Sequence, residues 1–176
     1  MAVLNPIALA EDGKNEYGKG NFVAAADLFW QAAQSYKSAK DELNAAEMMN
    51  NQSVALLQAG KAREALQATE GTEEIFQKAG DIKRQGIAVS NRAAALEGLK
   101  KWKEALAEYE RAASLFEQIG EGDMHSIVRK ASANINLKRG HLNDSQMDVY
   151  DSLRLVEKPT FTQRIMKFLM KIGLVK

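Results

Sequence analysis

The chain contains no cysteine and, among its 176 residues, only two prolines. The first absence excludes disulfides, thiolate zinc sites and cysteine nucleophiles. It fits a reducing compartment, and the expected location is cytoplasmic. The prolines, Pro6 and Pro159, bracket almost the whole sequence, so nothing between them forbids a helix. Long apolar runs are missing too, and none approaches the roughly 18 residues of a membrane-spanning helix. The opening, MAVLNPIALAED, has an apolar stretch without a basic leader and meets acid at once, a poor match to a signal peptide. Acid is absent after Glu157, where Lys158, Arg164, Lys167, Lys171 and Lys176 follow. The chain is +1 overall, so with those five set aside residues 1–157 stand at −4. Basic character confined to the tail gives no reason to expect nucleic-acid binding by the body.

What the sequence does have is a phrase that returns. GKAREAL at 60–66 reappears as KKWKEAL at 100–106. On a forty-residue step Gly20, Gly60, Lys100 and Gly140 align. Two residues on stand Phe22, Ala62, Trp102 and Leu142; three further stand Ala25, Ala65, Ala105 and Ser145. Then come Phe29, Thr69, Tyr109 and Val149, followed by Ala32, Thr72, Ala112 and Ser152, and by Tyr36, Phe76, Phe116 and Val156. Within each unit these offsets mark one face of a helix. The small residues let a neighbouring helix approach, and the aromatics fill the space beside it. A second run of helix formers precedes each of these faces, as in ELNAAEMMNNQSVALLQA and IKRQGIAVSNRAAALEGL. Asp41 and Asp81 are expected N-caps, and Gly60, Gly80, Gly120 and Gly140 expected terminators. The fold class that follows is all-α: four helix–turn–helix units at about 6–40, 41–80, 81–120 and 121–157, stacked as a right-handed solenoid. Eight helices in four pairs, then a short ninth, are expected. Gly71 falls inside the second helix of the second unit, where it should cost about 1 kcal/mol against alanine.

Chemistry finds little footing. His125, at a helix start, and His141, in a turn, are sixteen residues apart without a carboxylate or a second histidine at ligand spacing. Both read as surface residues rather than metal ligands. GEG at 120–122 lacks the lysine and following helix context of a phosphate loop and reads as a turn. Glu104, Glu108 and Glu110, with Lys103 and Arg111 among them, read as the solvated face of a helix rather than an acid–base pair. No nucleophile stands with a base. Neither an enzyme nor a cofactor is expected.

The glycine, the bulky residue two on and the alanine three after it resemble the tetratricopeptide repeat. GKAREAL, KKWKEALAEYERAASLF and GNFVAAADLFWQAAQSY carry the pattern, and the resemblance covers about 6–157. The common repeat has roughly 34 residues; this one is similar to the long-helix variant of roughly forty, found in kinesin light chains and α-SNAP-like proteins. The resemblance implies a concave surface, lined by the leading helix of each unit, that binds a peptide. It places Asn51 and Asn91 at a groove-facing position, where the end units have Glu11 and Ala131. Asn50, Ser90 and Lys130 precede that position, and Lys14, Val54, Ala94 and Asn134 follow it by three. The groove set is therefore Lys14, Asn50, Asn51, Asn91, Lys130 and Asn134. An asparagine amide both donates and accepts, so it can pair with the backbone of an extended peptide. The competing reading is that Asn51 and Asn91 bond neighbouring helices within the stack.

The tail, 158–176, differs from everything before it. After Pro159 a short helix is expected from Thr160 or Thr162. Phe161, Ile165, Phe168, Leu169 and Ile172 form an apolar stripe on it, opposite Arg164, Lys167 and Lys171. It can cap the apolar edge of the fourth unit, lie on an anionic membrane surface, or dock into a groove. The reading that follows is a non-enzymatic adaptor or scaffold for a peptide or partner protein. The alternative is a peripheral membrane protein tethered by the tail.

Overall fold

The computed structural model describes residues 5–156, 159–160 and 163–164. Among them the chain forms helices and no strands. These are α1 (Pro6–Gly18), α2 (Phe22–Ser38), α3 (Glu42–Gln58), α4 (Ala62–Ala68), α5 (Thr72–Lys78), α6 (Ile82–Gly98), α7 (Trp102–Gln118), α8 (Gly122–Lys138) and α9 (Leu142–Arg154). They stack as helical hairpins into an α-solenoid. In each unit the leading helix (α1, α3, α6 or α8) packs on the trailing one, and α2 and α7 pack on the next leading helix. Asp41 and Asp81 cap α3 and α6 as expected, each accepting a hydrogen bond from the backbone N–H three residues on. The turns recur every twenty residues, with left-handed backbone at Gly20, Lys40, Gly60, Gly80, Lys100, Gly120 and Gly140.

The repeated small positions are where helices meet. Ala25, Ala65 and Ala105 are fully buried and Ser145 is nearly so. In the first unit Gly13 does the same work. A Cβ there would lie 2.8 Å from the Phe29 ring, so the bare backbone lets α2 close on α1. Gly86 repeats the arrangement against Phe116. Ion pairs between neighbouring units add register. Arg84 reaches Glu47 at 3.3 Å, Lys83 reaches Glu121 at 2.6 Å, Lys138 reaches Glu97 at 3.4 Å and Arg154 reaches Glu117 at 2.7 Å. Each spans one repeat.

One expectation is corrected. The trailing helix of the second unit is not continuous: it is α4 and α5, separated at Gly71, whose φ of +76° no L side chain adopts without strain. At the interruption Leu66 O and Thr69 O accept backbone N–H groups from three residues on, and two hydroxyls reinforce those bonds. Thr69 Oγ1 donates to Leu66 O at 2.7 Å, and Thr72 Oγ1 donates to Thr69 O at 2.9 Å. The pairs are therefore four, but the second carries three helices.

Phe161, Ile165, Phe168, Leu169 and Ile172 lie outside the described residues. At the entry to the tail, Thr160 N–H donates to Gln163 Oε1 at 2.7 Å and Gln163 N–H donates back to Thr160 Oγ1 at 3.4 Å. That reciprocal pair is a capping box, and Gln163 and Arg164 are helical.

Candidate functional site

The leading helices carry the candidate groove. Lys14 and Tyr17 of α1, Phe29 of α2, and Asn51 and Val54 of α3 line a pocket of 240 Å³. Its wall is apolar at Phe29 and Val54, and Lys14 and Asn51 supply the polar groups. The Phe29 ring is held against Gly13, and Tyr17 meets Phe22 edge-on with centroids 5.2 Å apart. Lys14 is well exposed and donates to Glu11 at 2.7 Å, which raises its pKa above the ordinary lysine value. Asn51 and Asn91 are half-buried, and neither side chain makes a hydrogen bond among the described residues.

The structure thus gathers Lys14 and Asn51 but not the whole predicted set. Asn91, on α6, stands one unit further along. Lys130 and Asn134 are exposed on α8, two units from the pocket. Asn50 is 5% exposed and faces into the stack, with its side-chain oxygen unpaired.

A second polar centre lies between the second and third units. Glu73 on α5 is buried and meets Arg92 of α6 at 2.7 Å and Arg111 of α7 at 2.5 Å. Both arginines also hold Glu108, at 2.8 and 2.7 Å, closing a ring of four charges. Burial opposes the charge on Glu73. Hydrogen bonds from Gln85 and Arg92, with the positive fields of Arg111 and Arg92, outweigh it and hold the carboxyl below its ordinary range. The expectation that Glu108 belongs to a solvated face is corrected accordingly, because two guanidinium groups enclose it. Glu104 remains exposed and pairs with Lys101.

A third centre joins α8 to α9. His125, expected at the surface, is fully buried, and its Nε2 lies 3.5 Å from Asp151. The physical reason is register: one and two repeats earlier the same position is Gln85 and Ala45, both buried. Burial, only partly opposed by the Asp151 charge, lowers its pKa. Arg129 binds Glu110 and Asp151 nearby, and Asn136 donates to Asp148 at 2.9 Å. His141 stays exposed beside Asp144. No group of three His, Cys, Asp or Glu residues suited to a metal occurs among the described residues.

Stacked hairpins with unpaired amides at Asn51 and Asn91 on two leading helices, and a half-apolar pocket beside Asn51, define a helical-repeat scaffold. The profile of the family described as SNAP, Soluble NSF attachment protein, matches residues 15–174, and the chain belongs to that family. It is a family of helical, non-catalytic adaptors. No curated protein matches the chain.

Proposed function

We propose that this protein is a cytoplasmic adaptor that binds an extended peptide, or such a segment of a partner protein, along its leading helices. Its units are then the long, forty-residue form of the tetratricopeptide repeat. The observation that carries this reading is the pair Asn51 and Asn91. They are half-buried, one repeat apart, on leading helices, with side-chain amides that bond nothing among the described residues. A polar group held so is ready to pair with a peptide backbone. The pocket at Lys14, Phe29 and Val54 gives an apolar anchor beside Asn51. The family is named for attachment to NSF, which favours a protein as the occupant.

Selection of peptides from a displayed random library on the purified chain tests this. Enriched peptides should bind about tenfold or more weaker to a variant carrying Asn51→Ala and Asn91→Ala, since two hydrogen bonds are worth about 1–3 kcal/mol together. Binding to Glu104→Ala should be unchanged. Peptides that bind all three proteins equally would remove the groove from consideration.

A further inference from the structure

Two clefts occupy the same place in successive repeats. One, of about 570 Å³, is lined by Leu66 of α4, Arg92 and Leu96 of α6, and Ala107 and Glu108 of α7. The other, of about 430 Å³, is lined forty residues further on by Leu106 of α7, Ser132 and Asn136 of α8, and Met147 and Asp148 of α9. Each is bounded by two trailing helices and the leading helix that lies between them in the chain. Neither belongs to the candidate groove. On α8, Ser132 and Asn136 stand two residues beyond Lys130 and Asn134, a rotation of about 200° that puts them on the opposite side of the helix.

The clefts differ in what the leading helix offers. In the first, Arg92 is held by Glu73 and Glu108, and Leu96 has no polar group. In the second, Ser132 is 4% exposed and its hydroxyl makes no hydrogen bond among the described residues. Asn136 donates through Nδ2 to Asp148 at 2.9 Å, which leaves its Oδ1 to accept. Arg139, the C-cap of α8, lines the same cleft. It is half-buried, and its guanidinium forms no ion pair or hydrogen bond among the described residues. The acids along the cleft are engaged elsewhere. Arg129 binds both oxygens of Glu110, Asp148 lies 3.7 Å from Arg129, and the exposed Asp144 lies 3.6 Å from His141. A buried hydroxyl and a half-buried guanidinium without partners are groups that a ligand satisfies.

We propose that the cleft bounded by α7, α8 and α9 binds the free carboxyl terminus of an extended, apolar segment of a partner protein. Arg139 takes the terminal carboxylate, which its planar, forked guanidinium fits. Ser132, Asn136 and Arg139 follow one another along one face of α8 at steps of four and three, over about 10 Å of helix axis. About three extended residues cover that length. Ser132 offers a donor to a backbone carbonyl and Asn136 an acceptor to a backbone N–H, so the polar groups match one strand in order. Leu106 and the exposed, adaptable Met147 give apolar walls to its side chains. α8 ends at Arg139, and the chain turns away through Gly140. The strand therefore has its last support where its carboxylate lies. An aliphatic acid without backbone amides would leave Ser132 and Asn136 unmet.

The test follows backbone amide shifts of the full, isotope-labelled chain as the peptide N-acetyl-Gly-Ala-Leu, with a free carboxylate, is added. Shifts should centre on Ser132, Asn136 and Arg139. Capping the peptide as its C-terminal amide should weaken binding about tenfold or more, and so should Arg139→Gln, since each removes a charge-assisted bond. Arg139→Lys should recover part of the loss, and Asp144→Asn, which removes a competing carboxylate, should strengthen binding. Lys138→Gln alters the neighbouring cation, which is exposed and pairs with Glu97, and should change nothing. Arg139→Gln should melt with the parent chain, because the guanidinium holds no other element. Equal binding of acid and amide overturns the proposal, as does binding indifferent to Arg139→Gln. Equal binding of N-acetyl-Gly-Ala-Leu-Glu-amide, whose acid is in a side chain, overturns the terminal carboxylate. Shifts at Asn51 and Asn91 instead would put the peptide in the groove and remove this site. No shift at the highest soluble peptide concentration also overturns it. None of these outcomes requires the groove to bind a peptide.

Discussion

The second and third units share one register but solve the trailing helix differently. α7 runs unbroken from Trp102 to Gln118, whereas its counterpart is cut into α4 and α5 at Gly71. Where the second unit has Gly71, the third has Arg111, and that arginine reaches back to Glu73 beside the cut. Where the third has Tyr109, whose hydroxyl donates to Glu97 at 3.1 Å, the second has the smaller Thr69, which turns its hydroxyl onto its own backbone. The interruption is therefore mended from two sides: threonine hydroxyls reinforce the local backbone hydrogen bonds, and a ring of charges ties the detached piece to its neighbour. A repeat tolerates a broken element when the next repeat supplies the missing rigidity.

The largest effect that tests this comparison is overpacking at the small position. Ala105→Trp should destabilise by about 1–3 kcal/mol or more, because Ala105 is fully buried between helices. Ala65→Trp, at the equivalent site of the broken unit, should cost less, since α4 is a separate seven-residue piece free to shift. Ala107→Trp, exposed on α7, should leave the melting temperature within a degree or two. Equal melting temperatures for the Ala105 and Ala107 variants would show the register to be wrong.

Next in size is Glu73→Ala, which leaves Arg92 and Arg111 without one of their two carboxylates. The full penalty for breaking a buried pair is about 3–5 kcal/mol. Arg92 is 25% and Arg111 49% exposed, so solvent should reduce the loss to about 1–2 kcal/mol. The folded pKa of Glu73 lies below its ordinary value of 4.5. Its contribution is thus present above that pH and disappears as pH falls through the folded pKa. Urea melts across the acid range should show Glu73→Gln losing less stability than the parent chain in that window. Parallel curves would mean the ring is not coupled to folding.

Of comparable size is Gly71→Ala, which forces a Cβ into left-handed backbone at a cost of about 1–2 kcal/mol. Lys100→Gly should act in the opposite sense. Lys100 has φ of 59°, and relieving that strain should raise stability by up to about 1 kcal/mol, less the added chain entropy. Thermal melts of the two variants should move in opposite directions.

Much of this architecture was legible before any coordinates. The helix caps at Asp41 and Asp81, the turns at 60, 80, 120 and 140, and the buried column through Ala25, Ala65 and Ala105 follow from spacing alone. Gly71 announced a cost, but a single glycine does not say whether a helix bends, breaks or simply bears it. That depended on Thr69, Thr72 and Arg111, which act through tertiary contacts. His125 was misplaced because residue type outweighed register; its alignment with Ala45 and Gln85 was the available signal. Of the candidate groove, sequence placed Lys14 and Asn51 on adjacent leading helices. It could not show Phe29 completing the pocket, because that contact depends on the missing Cβ of Gly13. The ring around Glu73 was equally hidden, since its members are scattered over 73–111.

The ion pairs that join neighbouring units have a mechanical consequence. Among the described residues, the principal helix packings join each element only to its own unit or an adjacent one, and none ties the first hairpin to the last. Pulled from its two ends, such a stack should peel rather than shear. Each lost unit frees forty residues, up to about 140 Å of extended chain less its folded span. An optical-trap trace should therefore be a staircase of nearly equal rips rather than one cooperative rupture. The second unit, with its divided trailing helix, is the step that should split into two.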